Sequence, residues 1–323
     1  MKAFEPPSAT ASGTAPGRQT FAQTLCRALP PILAYRLATN VFMPRAPRSE
    51  SPFVTRTITG ALFGYHGGDI LANQVRACGF WDWRMLAIAK ALCADGGTIL
   101  EIGANTGTET VSLATIVGQK GRVYAFEPEP SIFDALEANV RLNKFQNVRL
   151  FRLAIGDRRG AACFSPAARA NNSGQGFLDL GRGENSFDVP VATLDDEGAT
   201  METPRADLVI VDVEGHEIAV LRGARKYLRK HRPTLVLEAV AEQLERAGQS
   251  LSQLIDEVNA LAYDVWAIHR VGIAPFPPTE RMNREYHRNL LCLPRERARR
   301  EAKVVAAMIR RCAFSPAFLN PLA

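Results

Sequence analysis

Thr98-Ile99-Leu100-Glu101-Ile102-Gly103-Ala104-Asn105-Thr106-Gly107 passes from an apolar, strand-like run into a glycine-bearing turn. The apolar stretch Thr108 to Val117 follows at once. A buried strand feeding a tight turn and then a helix is the repeating unit of a doubly wound α/β sheet. Gly103 permits a tight turn and close approach of a ligand, because no Cβ stands in the way. Asn105 tolerates positive φ almost as glycine does, and Gly107 lets the helix begin close to the sheet. In such sheets ligands bind beyond the carboxyl ends of the strands, so this turn is the expected site.

Working outward, Arg122 to Glu127 is a second strand, stopped by Pro128, and Ser131 offers an N-cap to a helix striped by Ile132, Leu136 and Val140. Asn147 to Ile155 is a third. Gly156 to Leu194 interrupts the pattern, with Ala161–Phe164 and Phe187–Val191 as small strands of a hairpin insertion. The core pattern resumes at Asp207 to Val213, Thr234 to Glu238, Asp264–Ile268 and Asn289–Leu293. These make a seven-stranded sheet. The non-helical, proline-bearing link Gly272 to Glu285 makes its last strand antiparallel, since a parallel one needs a covering crossover.

Composition bounds the rest. The chain has 323 residues, 46% apolar, with net charge +6, enough to bury a sizeable core. No stretch supplies the ~20 apolar residues of a membrane span. The six cysteines form no C-x-x-C pair and the five histidines no H-E-x-x-H, so no metal site is expected. Reduced thiols fit a cytoplasmic protein. The basic cluster Arg295, Arg297, Arg299, Arg300, Lys303, Arg310 and Arg311 lacks interleaved aromatics and reads as a solvated helix face rather than a nucleic-acid surface. The expected organisation is a disordered leader over 1–20, a helical, substrate-side extension over 21–95, the catalytic domain over 96–294, and a C-terminal helix and tail over 295–323.

The spacing of the turn bears on its ligand. Gly103 and Gly107 are four apart and preceded by acidic Glu101, unlike the G-x-G-x-x-G that cradles a pyrophosphate. A carboxylate there suits a ligand carrying an amino group. Glu127, closing the second strand, has two oxygens able to accept from adjacent ribose hydroxyls. Asp157, just past the third strand, is a candidate partner for an adenine amino group.

E-I-G-A-N-T-G (101–107), F-E-P (126–128), N-V-R-L-F-R-L-A-I-G-D (147–157), V-D-V-E-G-H-E-I-A-V-L-R-G-A (211–224) and P-T-L-V-L-E (233–238) resemble the FkbM family of methyltransferases. The resemblance implies a class I, Rossmann-like methyltransferase fold, S-adenosylmethionine as methyl donor, and O-methylation of a hydroxyl on a sugar, polyketide or similar small metabolite. It assigns Glu101, Gly103 and Gly107, with the intervening Ala104 and Asn105, to the methionine part of the donor, and Glu127 with neighbouring Pro128 to the ribose. The Asn-Pro-Pro-Tyr signature of base-amino methyltransferases is absent, Asp212-Val213-Glu214-Gly215 standing in its place.

Transfer to an alcohol needs its proton removed. Asp212, Glu214 and His216 emerge where the methyl is expected, and Asp212 and Glu214 point the same way if strand geometry persists that far. His216 is a natural general base by its pKa of ~6.5; alternatively His216 and Glu217 simply open the next helix. Glu238 and His269 end later strands and border the acceptor side, or are structural. Tyr65, His66, Phe80, Trp81 and Trp83, with Gly64, Gly67 and Gly68, serve either acceptor recognition or packing. Asn171 to Gly176 reads as a rim over the pocket or as a plain flexible loop. Rival functions are a nicotinamide-dependent oxidoreductase, a non-catalytic scaffold of the same fold, and a basic RNA or protein methyltransferase.

Overall fold

The computed structural model describes residues 21–42, 52–65, 69–166, 176–179, 185–196, 205–276 and 287–323. Its strands in chain order are β1 (Phe53–Arg56), β2 (Leu62–Tyr65), β3 (Thr98–Ile102), β4 (Arg122–Phe126), β5 (Val148–Phe151), β6 (Ala154–Ile155), β7 (Gly160–Ser165), β8 (Phe177–Asp179), β9 (Phe187–Ala192), β10 (Leu208–Val211), β11 (Thr234–Val240), β12 (Tyr263–His269), β13 (Gly272–Pro275) and β14 (His287–Pro294). One sheet has the order β13-β12-β14-β11-β10-β3-β4-β5. From β5 to β11 neighbouring strands are parallel; β14 runs antiparallel between β11 and β12. This is a doubly wound sheet with one antiparallel strand inserted near its edge, as the sequence pattern predicts.

The expected seven strands become eight, because the link after Gly272 begins by folding back on β12 as the edge strand β13. The expected third strand divides. β5 stays in the main sheet, whereas β6 leaves to pair with β9 in a second sheet, β6-β9-β7-β8. The hairpin read at 161–164 and 187–191 is the antiparallel pair β7 and β9. Ser131 does not cap its helix: Glu129 occupies the N-cap and Pro130 the first turn of Pro130–Leu142, where a missing N–H costs nothing. Residues 1–20, His66, Gly67, Gly68 and 171–175 lie outside the described residues.

Alternation along the strands divides the core into two layers. Ile99, Ile210 and Val236 face one layer, with Ile88, Leu113, Val305 and Ile309 from covering helices. Leu100, Val209, Leu235 and Leu237 face the other, with Leu221, Leu254 and Val258. The helix Ala298–Phe314 buries Ala302, Val305, Ile309 and Cys312 and leaves Arg299, Arg300, Lys303, Arg310 and Arg311 exposed. Each fully buried aliphatic side chain contributes roughly 1.5–3 kcal/mol, so this stripe anchors the helix and the basic face is left to water.

The 21–95 region is not wholly helical, since β1 and β2 form an antiparallel hairpin. Two asparagines of helix Pro130–Leu142 and its end satisfy that hairpin's backbone. Gly64 N donates to Asn139 Oδ1 (2.8 Å), and Leu62 N donates to Asn143 Oδ1 (2.7 Å). Asn139 Nδ2 in turn donates to the Thr106 carbonyl (2.9 Å). Fully buried, Asn139 therefore ties the extension directly to the glycine turn.

Register fixes the carboxyl edge. Leu237, Val211, Ile102 and Phe126 lie in one row across β11, β10, β3 and β4. The next residues along, Glu238, Asp212, Gly103 and Glu127, therefore emerge side by side. Gly103 has φ +92°, and a Cβ there would stand 1.8 Å from the Asp212 carbonyl oxygen. Replacing Gly103 by Ala is expected to lower the unfolding free energy by about 2–4 kcal/mol, from overpacking plus a strained φ. Urea denaturation measures it; a change within about 0.5 kcal/mol would contradict the contact.

Candidate active site

The turn after β3 is held by main-chain and side-chain bonds together. Gly103 N and Ala104 N both donate to the Phe126 carbonyl, at 3.0 and 2.9 Å. Asn105 adopts φ +50°, and its N–H donates to Glu127 Oε2 at 3.0 Å. Glu127 Oε1 accepts from Glu129 N at 2.9 Å. Each carboxylate oxygen has two lone pairs, so both oxygens keep capacity for a further donor.

A cavity of about 320 Å³ runs along this edge, lined by Glu101, Gly103, Ala104, Asn105, Glu127, Pro128, Asp212, Glu214 and His216. The structure thus brings together most of the residues picked from the sequence. Two fall outside. Gly107 is covered by Leu136 of the neighbouring helix. Asp157 is exposed and does not line the cavity, because the chain has already crossed into the second sheet at β6. Leu153, Ala154 and Ile155 form the wall there instead, facing Phe177 and Leu178.

The D-V-E-G-H-E segment departs from strand geometry. β10 ends at Val211, and the chain turns at Glu214 (φ +56°) and Gly215 (φ +105°). A Cβ on Gly215 would lie 2.4 Å from the Gln243 carbonyl oxygen. Glu217, buried at 1% exposure, holds the turn by accepting from Val213 N and Gly215 N, each at 3.2 Å. The alternation expected of Asp212 and Glu214 therefore fails. Asp212, Glu214 and Glu238 nonetheless place carboxylate oxygens within 4.8 Å of one another. That spacing suits a cation, although Glu214 is already engaged by Gln243 at 2.6 Å and Arg246 at 3.7 Å. His216 sits at the N-cap of helix Glu217–Gly223. Its Nε2 lies 2.7 Å from the Leu178 carbonyl, which can only accept, so Nε2 carries a proton and Nδ1 is the basic nitrogen.

Sequence reasoning passed over Glu109. It lines the same cavity, and its Oε1 is buried with no hydrogen-bond partner among the described residues. An unpartnered buried carboxylate oxygen is costly unless a cationic or donor ligand meets it. Together with Glu101, Glu127, Asp212 and Glu238, it makes the cavity a receptor for positive charge. An acidic residue two positions past Gly107, at the start of a helix, was the available signal.

A second cavity, about 630 Å³, opens between the helix Pro31–Leu37, the helix Trp83–Cys93 and the sheet edge. Trp81, Asp212 and Glu238 line both cavities. Of the aromatics before the core, Tyr65 and Phe80 are buried and line neither cavity, Trp83 is buried and lines the second, and Trp81 lines both. His269 is exposed and lines neither cavity, its neighbour Arg270 lining the second.

Burial pushes the Glu101 carboxyl up to about 8, against the hydrogen bond from the Thr110 hydroxyl (2.6 Å). It carries Glu127 to about 8 and Glu214 to about 8 likewise. Glu109 and Glu238 are raised well above 4.5, first by burial and then by neighbouring carboxylates. Burial lowers His216.

The Methyltransferase FkbM domain model matches residues 101–265, about half the chain. The chain belongs to this family of S-adenosylmethionine-dependent methyltransferases. It is 32% identical over 129 residues to the hexuronic acid methyltransferase AglP of Haloferax volcanii, covering 40% of this chain and 50% of that protein. It is 28% identical over 148 residues to the 2-O-methyltransferase NoeI of Sinorhizobium fredii, covering 42% of this chain and 60% of that one. The chain thus spans half to three-fifths of the length of these two relatives. A solved methyltransferase FkbM from Methylobacillus flagellatus KT aligns with TM-score 0.41 at 16% identity, over 69% of this chain and 55% of that one. Among the described residues, no helix is long and apolar enough to cross a membrane.

Raised carboxyls make a stability signature. Glu101, Glu127 and Glu217 titrate near 4.5 when unfolded but at about 8, about 8 and about 7 in the fold. Between those values the folded chain keeps protons that the unfolded chain has released, so stability is greatest at the acid side and is lost as pH rises toward 8. The melting temperature is expected to fall from pH 5.5 to 8, and Glu101→Gln to flatten part of that slope. A flat or rising profile in scanning calorimetry would contradict the burial of these groups.

Proposed function

We propose that this chain transfers a methyl group from S-adenosylmethionine to a hydroxyl of a sugar or similar small metabolite. The observation that carries the reading is the meeting of two cavities at Asp212 and Glu238, one acidic and running along the strand ends, the other open to a larger ligand. Glu127 accepts from the ribose hydroxyls with the lone pairs left by Asn105 and Glu129. Glu101, with the turn Gly103-Ala104-Asn105, receives the methionine end, and Glu109 offers its unpartnered oxygen to the same positive charge. Pro128 and the wall of Leu153 and Ile155 flank the adenosine. The acidic lining matches a ligand carrying both an ammonium and a sulfonium. When bound, that donor supplies an activated methyl on a positively charged sulfur.

The chain's own contribution is then alignment and proton removal. Holding the two reactants in line supplies up to roughly 7–11 kcal/mol of the barrier. Asp212 and Glu238 stand where donor and acceptor spaces join, so one of this pair takes the hydroxyl proton as its oxygen attacks. A positioned base contributes typically ~10²–10⁴-fold. His216 is the weaker candidate: it lines only the donor cavity, with Nε2 committed to Leu178. Glu214, clasped by Gln243 and Arg246, orients the turn beside Asp212. The hexuronic acid in the name of AglP supports a sugar acceptor, the 2-O-methyltransferase name of NoeI supports a hydroxyl, and a small-molecule cleft supports that reading over nucleic acid.

Glu127→Ala is expected to weaken S-adenosylhomocysteine binding at least tenfold by calorimetric titration while circular dichroism stays unchanged; equal affinity would place the ribose elsewhere. Asp212→Asn is expected to reduce kcat about 10²-fold or more, with donor affinity within threefold, and His216→Ala to reduce it far less. Should His216→Ala prove the more damaging to kcat, the base assignment reverts to the histidine.

A further inference from the structure

The second cavity is chemically divided along the sheet edge. Asp212 and Glu238 close its inner end, following β10 and β11. Asn289 of β14 pairs with Glu238 across the ladder and also lines it. Arg270, just past the carboxyl end of β12, lines the outer end, two strand positions from Glu238. With ~4.8 Å between strands and ~3.3 Å per residue along them, a position two strands across and two residues on lies about 12 Å away. Arg36, on the helix Pro31–Leu37 of the N-terminal extension, lines the same cavity.

Arg36 and Arg270 are both exposed, and neither has an acidic partner among the described residues. Arg84, the third cation of the cavity, is held by Asp82 at 2.6 Å. Guanidinium groups recognise carboxylate and phosphate oxygens by paired, charge-assisted hydrogen bonds. Trp81 and the exposed Tyr35 add aromatic faces suited to the apolar side of a sugar ring. The carboxylate of Asp212 disfavours an anion beside it, so the division also sets the direction in which a ligand lies.

We infer that the acceptor is an anionic sugar, its carboxylate or phosphate held between Arg36 and Arg270 while its hydroxyl reaches Asp212 and Glu238. The inference rests on the proposed methyl transfer and narrows its substrate class. The span of about two strands sets the anionic group on the methylated ring or the ring next to it.

The test uses the full chain saturated with S-adenosylhomocysteine and titrated calorimetrically with three probes: methyl β-D-glucuronide, glucose 6-phosphate and methyl β-D-glucoside. At least one anionic probe is expected to bind tenfold or more tightly than the neutral glucoside, the stronger one distinguishing carboxylate from phosphate. Arg36→Gln and Arg270→Gln are each expected to remove most of that preference without altering S-adenosylhomocysteine affinity. Arg36→Lys should retain part of it, and Arg299→Gln, on the C-terminal helix, all of it. Equal or tighter binding of the glucoside, a preference that survives both glutamine variants, or no binding of either anionic probe overturns the inference. If S-adenosylhomocysteine itself fails to bind, the donor assignment falls first, and the acceptor inference with it.

Discussion

The contact on which the site depends is the one between the Gly103 backbone and the Asp212 carbonyl. No side chain fits between them, so the turn after β3 and the end of β10 are pressed into one surface. That closeness places the glycine turn, with Glu101 below it, against the carboxylates that follow β10 and β11. The donor-side and acceptor-side groups are consequently neighbours by register rather than by any flexible arrangement. Asn139 extends the same constraint outward, joining the turn to the hairpin of the N-terminal extension.

The second organising feature is the gathering of carboxyls in one partly dry space. Burial and mutual repulsion raise Glu101, Glu109, Glu127, Glu214 and Glu238 together. Groups in that state are poised to ionise when a cation arrives, since an opposite charge favours the charged form. Gathering these groups carries a cost that a positively charged ligand offsets. A surface carboxyl behaves differently: Glu257, held by Arg222 and Arg225, lies below the ordinary carboxylate range.

Much of this was legible in the sequence because period and punctuation are local. The strand-turn-helix at 98–117, the apolar run ending at Asp212, and the antiparallel last strand all follow from residue pattern and loop chemistry. Glu101 and Glu127 could be picked out because each stands at a strand end. What depended on distant packing was not legible. The N–H donors that satisfy Glu127 come from neighbouring turns, Gly107 lies under Leu136, and Asp157 is displaced when the chain leaves for the second sheet. Glu214 leaves strand geometry in a turn whose Gly215 lies too close to the Gln243 carbonyl for any side chain. Arg36 and Arg270 line one cavity from parts of the chain far apart in sequence, which no periodicity reports.

The central claim is that a sulfonium-bearing nucleoside docks at the carboxyl edge, its ribose on Glu127 and its amino-acid end beside Glu101. A crystal structure of the chain with S-adenosylhomocysteine measures this directly. The account requires both ribose hydroxyls within hydrogen-bond distance of Glu127 and the homocysteine along Glu101 to Asn105. Ligand density elsewhere, with Glu101 and Glu127 still bound only to protein groups, would contradict it.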